Sequence, residues 1–179
     1  MDRRDFLKSR KKKQSAGVKA EFTQPFRTES GISSYTGTWT EQEVIHLLKR
    51  TMFGAKKADI AYFKALTMSQ AVDELLNPAT PAPAPPVKEY VTTTVLGANP
   101  DANILQGTTW INDINSDGTV QSQRRASYRK WWTGALINQD RSIREKMIMF
   151  MIDHFGNEAS DVGNANWVYK QHDLIRQYA

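Results

Sequence analysis

The chain has 179 residues, of which 40% are hydrophobic and 24% are charged, so it is long enough and apolar enough to form a folded core. It contains no cysteine, which excludes disulfides, thiolate nucleophiles and cysteine-ligated zinc or iron–sulfur sites. No run of about 20 apolar residues is present, so the sequence predicts no transmembrane segment.

The net charge of +5 comes from the amino terminus. Residues 1–20 hold eight Lys or Arg against two Asp, which is +6 and leaves −1 for the rest of the chain. We therefore expect residues 1–39 to form a basic, mostly disordered tail and lead-in. A positively charged face on the folded body is not indicated, so we expect that body not to bind nucleic acid.

The tail contains Arg3-Arg4-Asp5-Phe6-Leu7-Lys8, which resembles a twin-arginine export motif. Such a signal requires an apolar stretch directly after it, but no apolar run occurs before residue 44. The motif is either a degenerate signal or a chance match. The location therefore remains open between the cytoplasm and export to the periplasm.

Residues 40–77 are predicted to form a small helical subdomain. Thr40 and Glu43 have the spacing of a capping box, and the first helix ends near Gly54. A second helix is predicted over 57–66, and a third begins at Thr67 or Ser69 and ends at Asn77-Pro78. On the third helix we expect one buried face, formed by Met68, Val72 and Leu75.

Residues 78–121 are predicted to form a proline-rich linker followed by an irregular or short β segment, with a possible hairpin near 91–120. Five of the seven prolines lie between 78 and 86, which favours an extended, semi-rigid connector. The dipeptide Asp117-Gly118 is typical of a tight turn, as expected in a hairpin.

Asp113, Asn115 and Asp117 match the first ligand positions of an EF-hand calcium loop. The twelfth position, however, is Arg124 instead of the bidentate glutamate. That residue removes two oxygen ligands and adds a positive charge, so calcium binding is not the favoured interpretation.

Residues 122–179 are predicted to be helical. One helix begins at Ser122, and the next begins at Ser142 with a capping box to Glu145 and ends at Gly156. Because the loop at 138–140 is short, the two helices should pack antiparallel. This packing would bury Trp131 or Trp132 against two residues of the second helix, Met147 and Phe150.

His154 shares a helix face with Met147 and Phe150, which favours a core histidine over a metal ligand or an acid–base group. The adjacent Asp153 diverges from it by about 100° around the helix. Glu145 is also expected to pair with Arg50 of the first helix, because an arginine beside an apolar stripe often binds a buried carboxylate.

A last helix carries Trp167, Gln171, Leu174 and Tyr178 on one face, with Val168, His172 and Ile175 beside it. Its pattern stops at residue 179 without Gly, Pro or a basic last turn. We therefore expect a truncated helical segment with part of its apolar surface exposed.

Two separated segments carry a resemblance to a known family. One lies at the end of the first predicted helix, and the other runs from the tryptophan pair through the helix after it. Their residues are Arg50, Phe53, Gly54, Trp131, Trp132, Arg144, Glu145, Lys146, Met147, Phe150, His154 and Phe155. This pattern resembles the amino-terminal part of the bacterial domain-of-unknown-function 1800 family. Members continue for several hundred residues more, so the resemblance implies that this chain is the amino-terminal third of such a protein.

The resemblance is incomplete on the helix that carries His154. Met151, Ile152 and Asp153 stand where the family typically has Trp, His and Asn. Because Ile152 replaces the first histidine, a two-histidine metal site on this helix is excluded.

We therefore expect a mainly α fold, a helical bundle-like array with a proline-rich linker and little or no β structure. The expected role is a helical interaction or scaffold module that docks the rest of its own chain or a protein partner. The alternative is part of a metal-assisted or acid–base enzyme completed by missing residues, with Glu145, Asp153 and His154 as candidate contributors and His154 and Asp153 as candidate ligands. No cofactor can be assigned from the sequence.

Overall fold

The computed structural model describes residues 34–78, 80–92, 97–156 and 159–179. The basic tail and the twin-arginine motif lie outside these residues. Within them the protein is mainly α-helical, as predicted, and all of its helices belong to the unit Gly37–Ala179. The helices are α1 (Glu41–Thr51), α2 (Lys57–Lys64), α3 (Met68–Leu76), α4 (Gly118–Ile137), α5 (Arg144–Phe155) and α6 (Ala165–Tyr178).

Helices α1 and α3 begin at the residues that the capping patterns predict. The Thr40 hydroxyl accepts from the amide of Gln42 at 3.3 Å, and the Thr40 amide donates to Glu43 Oε2 at 3.1 Å. Thr67 and Gln70 form a second capping box at α3. Helix α2 ends at Lys64, two residues before the predicted end.

The first hydrophobic core lies among α1, α2 and α3. Ala71 and Leu75 form the buried side of α3, while Val72 is partly exposed, so the predicted face was rotated by one position. The buried members of this core are Val44, Leu48, Met52, Phe63, Ala71 and Leu75.

Helix α4 begins four residues before the predicted start. The Asp117 carboxylate accepts from the amides of Thr119 at 2.8 Å and Val120 at 3.0 Å, so Asp117 is an N-cap and not a hairpin turn residue. Among the described residues, the only β pairing is one antiparallel bridge between Val87 and Thr109. The prediction of a tight turn at Asp117-Gly118 was therefore wrong.

Buried polar contacts, not a β ladder, hold the segment between the connector and α4. Lys88 Nζ donates to the carbonyl of Ile104 at 2.9 Å, and Arg124 Nη2 bonds Asp101 Oδ1 at 2.7 Å. Asn166 Nδ2 donates to the carbonyls of Trp110 and Asp113 at 3.0 and 2.8 Å. The bonds from Lys88 and Asn166 satisfy backbone carbonyls that have no partner in a sheet.

Helix α6 packs against both α4 and α5. The second core joins α6 to α4 and to the loop before it, through Trp110, Tyr128, Ala165, Val168 and Tyr169. The Trp131 ring lies 5.3 Å from that of Tyr169. The prediction that Trp131 or Trp132 packs on Met147 and Phe150 was wrong, because α6 supplies the aromatic partners.

Helix α5 begins at Arg144 without a side-chain cap, so the predicted Ser142–Glu145 capping box was wrong. Ser142 instead donates to Asp140 Oδ1 at 2.5 Å, and its oxygen accepts from the Arg144 amide at 3.3 Å. The predicted end is confirmed, since Gly156 has a left-handed φ of 63°.

The buried face of α5 differs from the predicted face. On α5, Glu145 and Ile148 are buried, whereas Met147, Phe150 and His154 are exposed. On α6 the buried residues are Ala165, Asn166, Val168, Tyr169, His172 and Arg176. None of the helices in the described part of the chain has the length and apolar character needed to cross a bilayer.

Candidate functional site

A cavity of about 360 Å³ lies between the proline-rich connector and the carboxy-terminal helices. Its size falls within the range of about 300–1,000 Å³ that is usual for small-ligand sites. The connector forms one wall, α4 forms the opposite wall, and charged groups of α5 and α6 complete it. Its lining residues are Thr80, Pro81, Pro83, Ala84, Trp131, Gly134, Ala135, Asn138, Gln139, Asp140, Arg144, Glu145 and Arg176.

The connector is bound to the helices through its backbone. Trp131 Nε1 donates to the carbonyl of Ala84 at 2.6 Å, and Arg144 Nη1 donates to that of Thr80 at 3.0 Å. Ser127 Oγ donates to the carbonyl of Val87 at 2.8 Å. Residues 80–86 have no regular secondary structure, so these side chains replace the missing backbone bonds.

Glu145 and Arg176 form a buried ion pair beside the cavity. Arg176 Nη1 and Nη2 donate to the two carboxylate oxygens at 2.5 and 3.0 Å, a bidentate geometry that orients both groups. Glu145 and Arg176 are only 5% and 7% exposed. The predicted partner of Glu145 was wrong, since Arg50 lies on the exposed side of α1.

His172 extends this network to α4. Its Nε2 lies 3.2 Å from Arg176 Nη2, and its Nδ1 lies 3.0 Å from Tyr128 Oη. Because arginine can only donate, Nε2 must accept, and Nδ1 therefore carries the proton and donates to Tyr128. Burial, and secondly the charge of Arg176, lowers the pKa of His172 to about 3. Burial likewise raises the pKa of Tyr128, so both groups are neutral at pH 7.

Three lining side chains carry a buried polar atom with no hydrogen-bond partner among the described residues. These atoms are Gln139 Oε1, Asp140 Oδ2 and Arg176 Nε. Asp140 Oδ2 does lie 3.9 Å from Arg144 Nη1, which is an ion pair beyond hydrogen-bond distance. Unpartnered buried polar atoms are uncommon in folded proteins, so these three are exceptions within the packing beside the cavity.

The structure separates the candidate catalytic residues. Glu145 lies in the first turn of α5, whereas Asp153 and His154 are exposed in its last turn, about 13 Å farther along the axis. The prediction of a core His154 was wrong, because the side chain is exposed. Its ring stacks on that of Phe150, which is also exposed, at a centroid distance of 6.0 Å. Across the described residues, no three His, Asp or Glu side chains are grouped as a metal site would require.

The calcium-like loop is occupied by contacts within the protein. Arg124 Nη2 bonds Asp113 Oδ2 at 2.5 Å, Asn115 Oδ1 accepts from the Asp117 amide at 2.8 Å, and Asp117 caps α4. Burial opposes the charge of Arg124, but hydrogen bonds to Asp113 and Asp101 raise the pKa of Arg124 overall. The guanidinium of Arg124 thus already neutralises the Asp113 carboxylate, which a bound calcium ion would otherwise have to do.

The residues that carry the family resemblance fall into three groups. Trp131, Arg144 and Glu145 line the cavity, and Trp132 packs on His172 with ring centroids 5.1 Å apart. Lys146 Nζ lies 4.3 Å from the ring centroid of Phe53, which joins the two matching segments by a cation–π contact. The remaining residues neither line the cavity nor take part in the Trp132–His172 and Lys146–Phe53 contacts: Arg50, Gly54, Met147, Phe150, His154 and Phe155.

Sequence reasoning missed Arg176, Tyr128 and the buried role of His172. A signal was present for part of this set, because His172 and Arg176 are one turn apart on the same face as Val168. The pairing of that face with Glu145 depends on a contact across 31 residues and had no local signal.

The fold and site define a mainly helical protein module with a cavity bounded by its own extended connector. The chain belongs to the family described as "Protein of unknown function (DUF1800)", whose family model matches residues 46–179. No curated protein and no solved structure matches the chain.

Proposed function

We propose that this chain is a helical docking module that binds an apolar polypeptide surface through α6. The observation that carries this proposal is a line of three large apolar side chains on that helix, here called the α6 stripe. Trp167, Leu174 and Tyr178 are 67%, 55% and 84% exposed. Their spacing of seven and four residues places them on one face of the helix.

The composition of the α6 stripe is typical of a protein interface. Trp and Tyr are enriched among the residues that contribute most to binding energy, because they bury a large area with few rotatable bonds. Helix α5 also exposes two large apolar side chains, Met147 and Phe150. Exposed apolar side chains of this size are usually covered in the functional state of a protein.

The partner in this proposal is a polypeptide with an apolar face, either a further segment of the same chain or a separate protein. The alternative, a metal-assisted or acid–base enzyme, has less support from the observed geometry. Glu145 is engaged in an ion pair with Arg176, and it lies about 13 Å along α5 from Asp153 and His154.

Site-specific photo-crosslinking tests the proposal. A benzophenone amino acid would replace Trp167 in the stripe or, as the control, Lys57, which is exposed on α2. We expect a polypeptide crosslink at position 167 that is lost with Leu174→Glu, and none at position 57. Mass spectrometry of the crosslinked peptide would distinguish the same chain from a separate protein. Equal crosslinking at both positions, or none at 167, would contradict the docking function.

A further inference from the structure

Residues 80–84 of the connector, here called the strap, form one wall of the cavity but are themselves hardly buried. Every residue of the strap is exposed, although Thr80, Pro81, Pro83 and Ala84 line the cavity on their inner side. The strap has no helix or strand, and its prolines have no N–H group to donate. It therefore gains little stability from apolar burial or from backbone hydrogen bonds.

Two hydrogen bonds hold the strap within the described part of the chain, one at each of its ends. Arg144 Nη1 donates to the carbonyl of Thr80 at 3.0 Å, and Trp131 Nε1 donates to that of Ala84 at 2.6 Å. Both donors are side-chain atoms of helices α5 and α4. The two bonds can therefore break while the backbone hydrogen bonds of these helices stay intact.

The chain on either side of the strap is fixed more firmly. Before it, the amide of Ile143 donates to the carbonyl of Leu75 at 3.0 Å, which ties the end of α3 to the start of α5. After it, Pro86 is fully buried, and the amide of Lys88 donates to the carbonyl of Thr108 at 2.9 Å. A weakly held segment between two fixed ends can open locally, while the cores on both sides stay folded.

We propose that the strap is a gate of the cavity, which opens as one unit and without global unfolding. Because the prolines restrict its backbone, the two ends of the strap move together, and both hydrogen bonds break in the same event. Opening removes one wall of the cavity and leaves the indole N–H of Trp131 and the guanidinium of Arg144 bonded to water. The cavity is thus closed in one state of the folded protein and open in another.

Hydrogen exchange of the tryptophan indole N–H groups, measured by NMR on the 179-residue chain, tests this proposal. The Trp131 indole N–H reports on the strap, because it is bonded to Ala84. Trp110 is the internal control, since it is fully buried and its indole N–H donates to Ser127 Oγ at 3.2 Å. We expect the exchange of Trp131 to depend weakly on urea, because a local opening exposes little surface. The exchange of Trp110 should show the full urea dependence of global unfolding.

Substitutions at two nearby arginines provide matched variants. Arg144→Met removes the bond at the other end of the strap and should speed the exchange of Trp131 by about tenfold or more. The exchange of Trp110 should change less. Arg141→Met is the control, because Arg141 Nε bonds Asp59 Oδ1 of α2 at 3.0 Å and not the strap. It should leave the exchange rate of Trp131 unchanged. Arg144→Lys is a milder second variant that keeps the charge, and it should speed the exchange of Trp131 by a smaller factor.

The proposal is overturned if Trp131 and Trp110 exchange with the same urea dependence, since the strap would then open only when the protein unfolds. It is also overturned if the variants at Arg144 and Arg141 exchange the Trp131 proton at the same rate, since the strap would then not open as one unit. The result is separate from the crosslinking experiment on α6, because the stripe residues do not line the cavity. A strap that stays closed would therefore leave the docking function of α6 to its own test.

Discussion

Glu145 and Arg176 join α5 to α6 through two hydrogen bonds of 2.5 and 3.0 Å in a nearly solvent-free environment. The guanidinium also contacts His172 at 3.2 Å, and His172 in turn reaches Tyr128 of α4. One polar chain thus connects the three helices that surround the cavity.

Removal of one member of this pair should be strongly destabilising. Arg176→Ala leaves a buried carboxylate without its partner and should lower the free energy of unfolding by about 3–5 kcal/mol. Combining it with Glu145→Gln should recover part of that loss, with a coupling energy of about 0.5–3 kcal/mol in a double-mutant cycle. Urea denaturation measures both values.

Arg50→Ala is the control for that cycle, because Arg50 is exposed and does not contact Glu145 in the structure. Its effect should stay within about 0.5 kcal/mol and add to that of Glu145→Gln. A measured coupling between Arg50 and Glu145 would contradict the observed pairing.

The protein should lose stability in mild acid because of His172. Its pKa is lowered from 6.5 to about 3 in the folded state, so between these values the unfolded chain binds more protons. Stability therefore falls as the pH decreases through this window, with a slope of up to about 1.4 kcal/mol per pH unit from this residue.

His172→Gln should flatten that pH dependence, although it also lowers stability at neutral pH. His154→Gln is the matched control, because it removes an exposed histidine instead of the buried one. The measurement is the free energy of unfolding between pH 4 and 7, at about one-unit intervals. If the free energy of unfolding of both variants has the same pH dependence, His172 is excluded as the source of the slope.

Asp117 should contribute to the stability of α4 as its N-cap. Asp117→Ala removes the acceptor for two amides and should cost about 0.5–2 kcal/mol. Ser116→Ala, at the exposed preceding residue, should have little effect. Thermal unfolding followed by circular dichroism compares the two variants, and an equal loss in both would argue against the cap.

Calcium should not stabilise the protein, because the side-chain oxygens of the loop already accept hydrogen bonds within it. Asp113 accepts from Arg124, Asn115 accepts from the Asp117 amide, and Asp117 accepts from amides of α4. We expect the same Tm in calcium chloride and in a chelator. A higher Tm in calcium would show that the ion competes with the guanidinium.

Arg124→Met should destabilise the protein, since it leaves the fully buried Asp101 without its arginine partner.

Helix ends were predicted best where the determining contact is local. Thr40 and Thr67 bond amides two or three residues away, and Gly156 stops α5 through its own backbone conformation. Asp117 was missed although its cap is equally local, because Asp-Gly is also the commonest signal of a tight hairpin turn. Only the helix that follows distinguishes the two.

The buried face of α5 was predicted incorrectly because apolar residues occur on several sides of that helix. Periodicity favoured Phe150 on α5, whereas the structure buries Glu145 there. A polar residue can occupy a core only when another segment supplies its partner, and the partner of Glu145 lies 31 residues away.

The helical class, the starts of α1 and α3, the stop at Gly156 and the family could be predicted from the sequence, because these depend on composition and on contacts between near neighbours. The tertiary structure alone decided which charges pair, which helix faces are buried and where the cavity lies. Those outcomes depend on distant segments that desolvate and satisfy one another, as Arg176 does for Glu145 and Trp131 does for the connector.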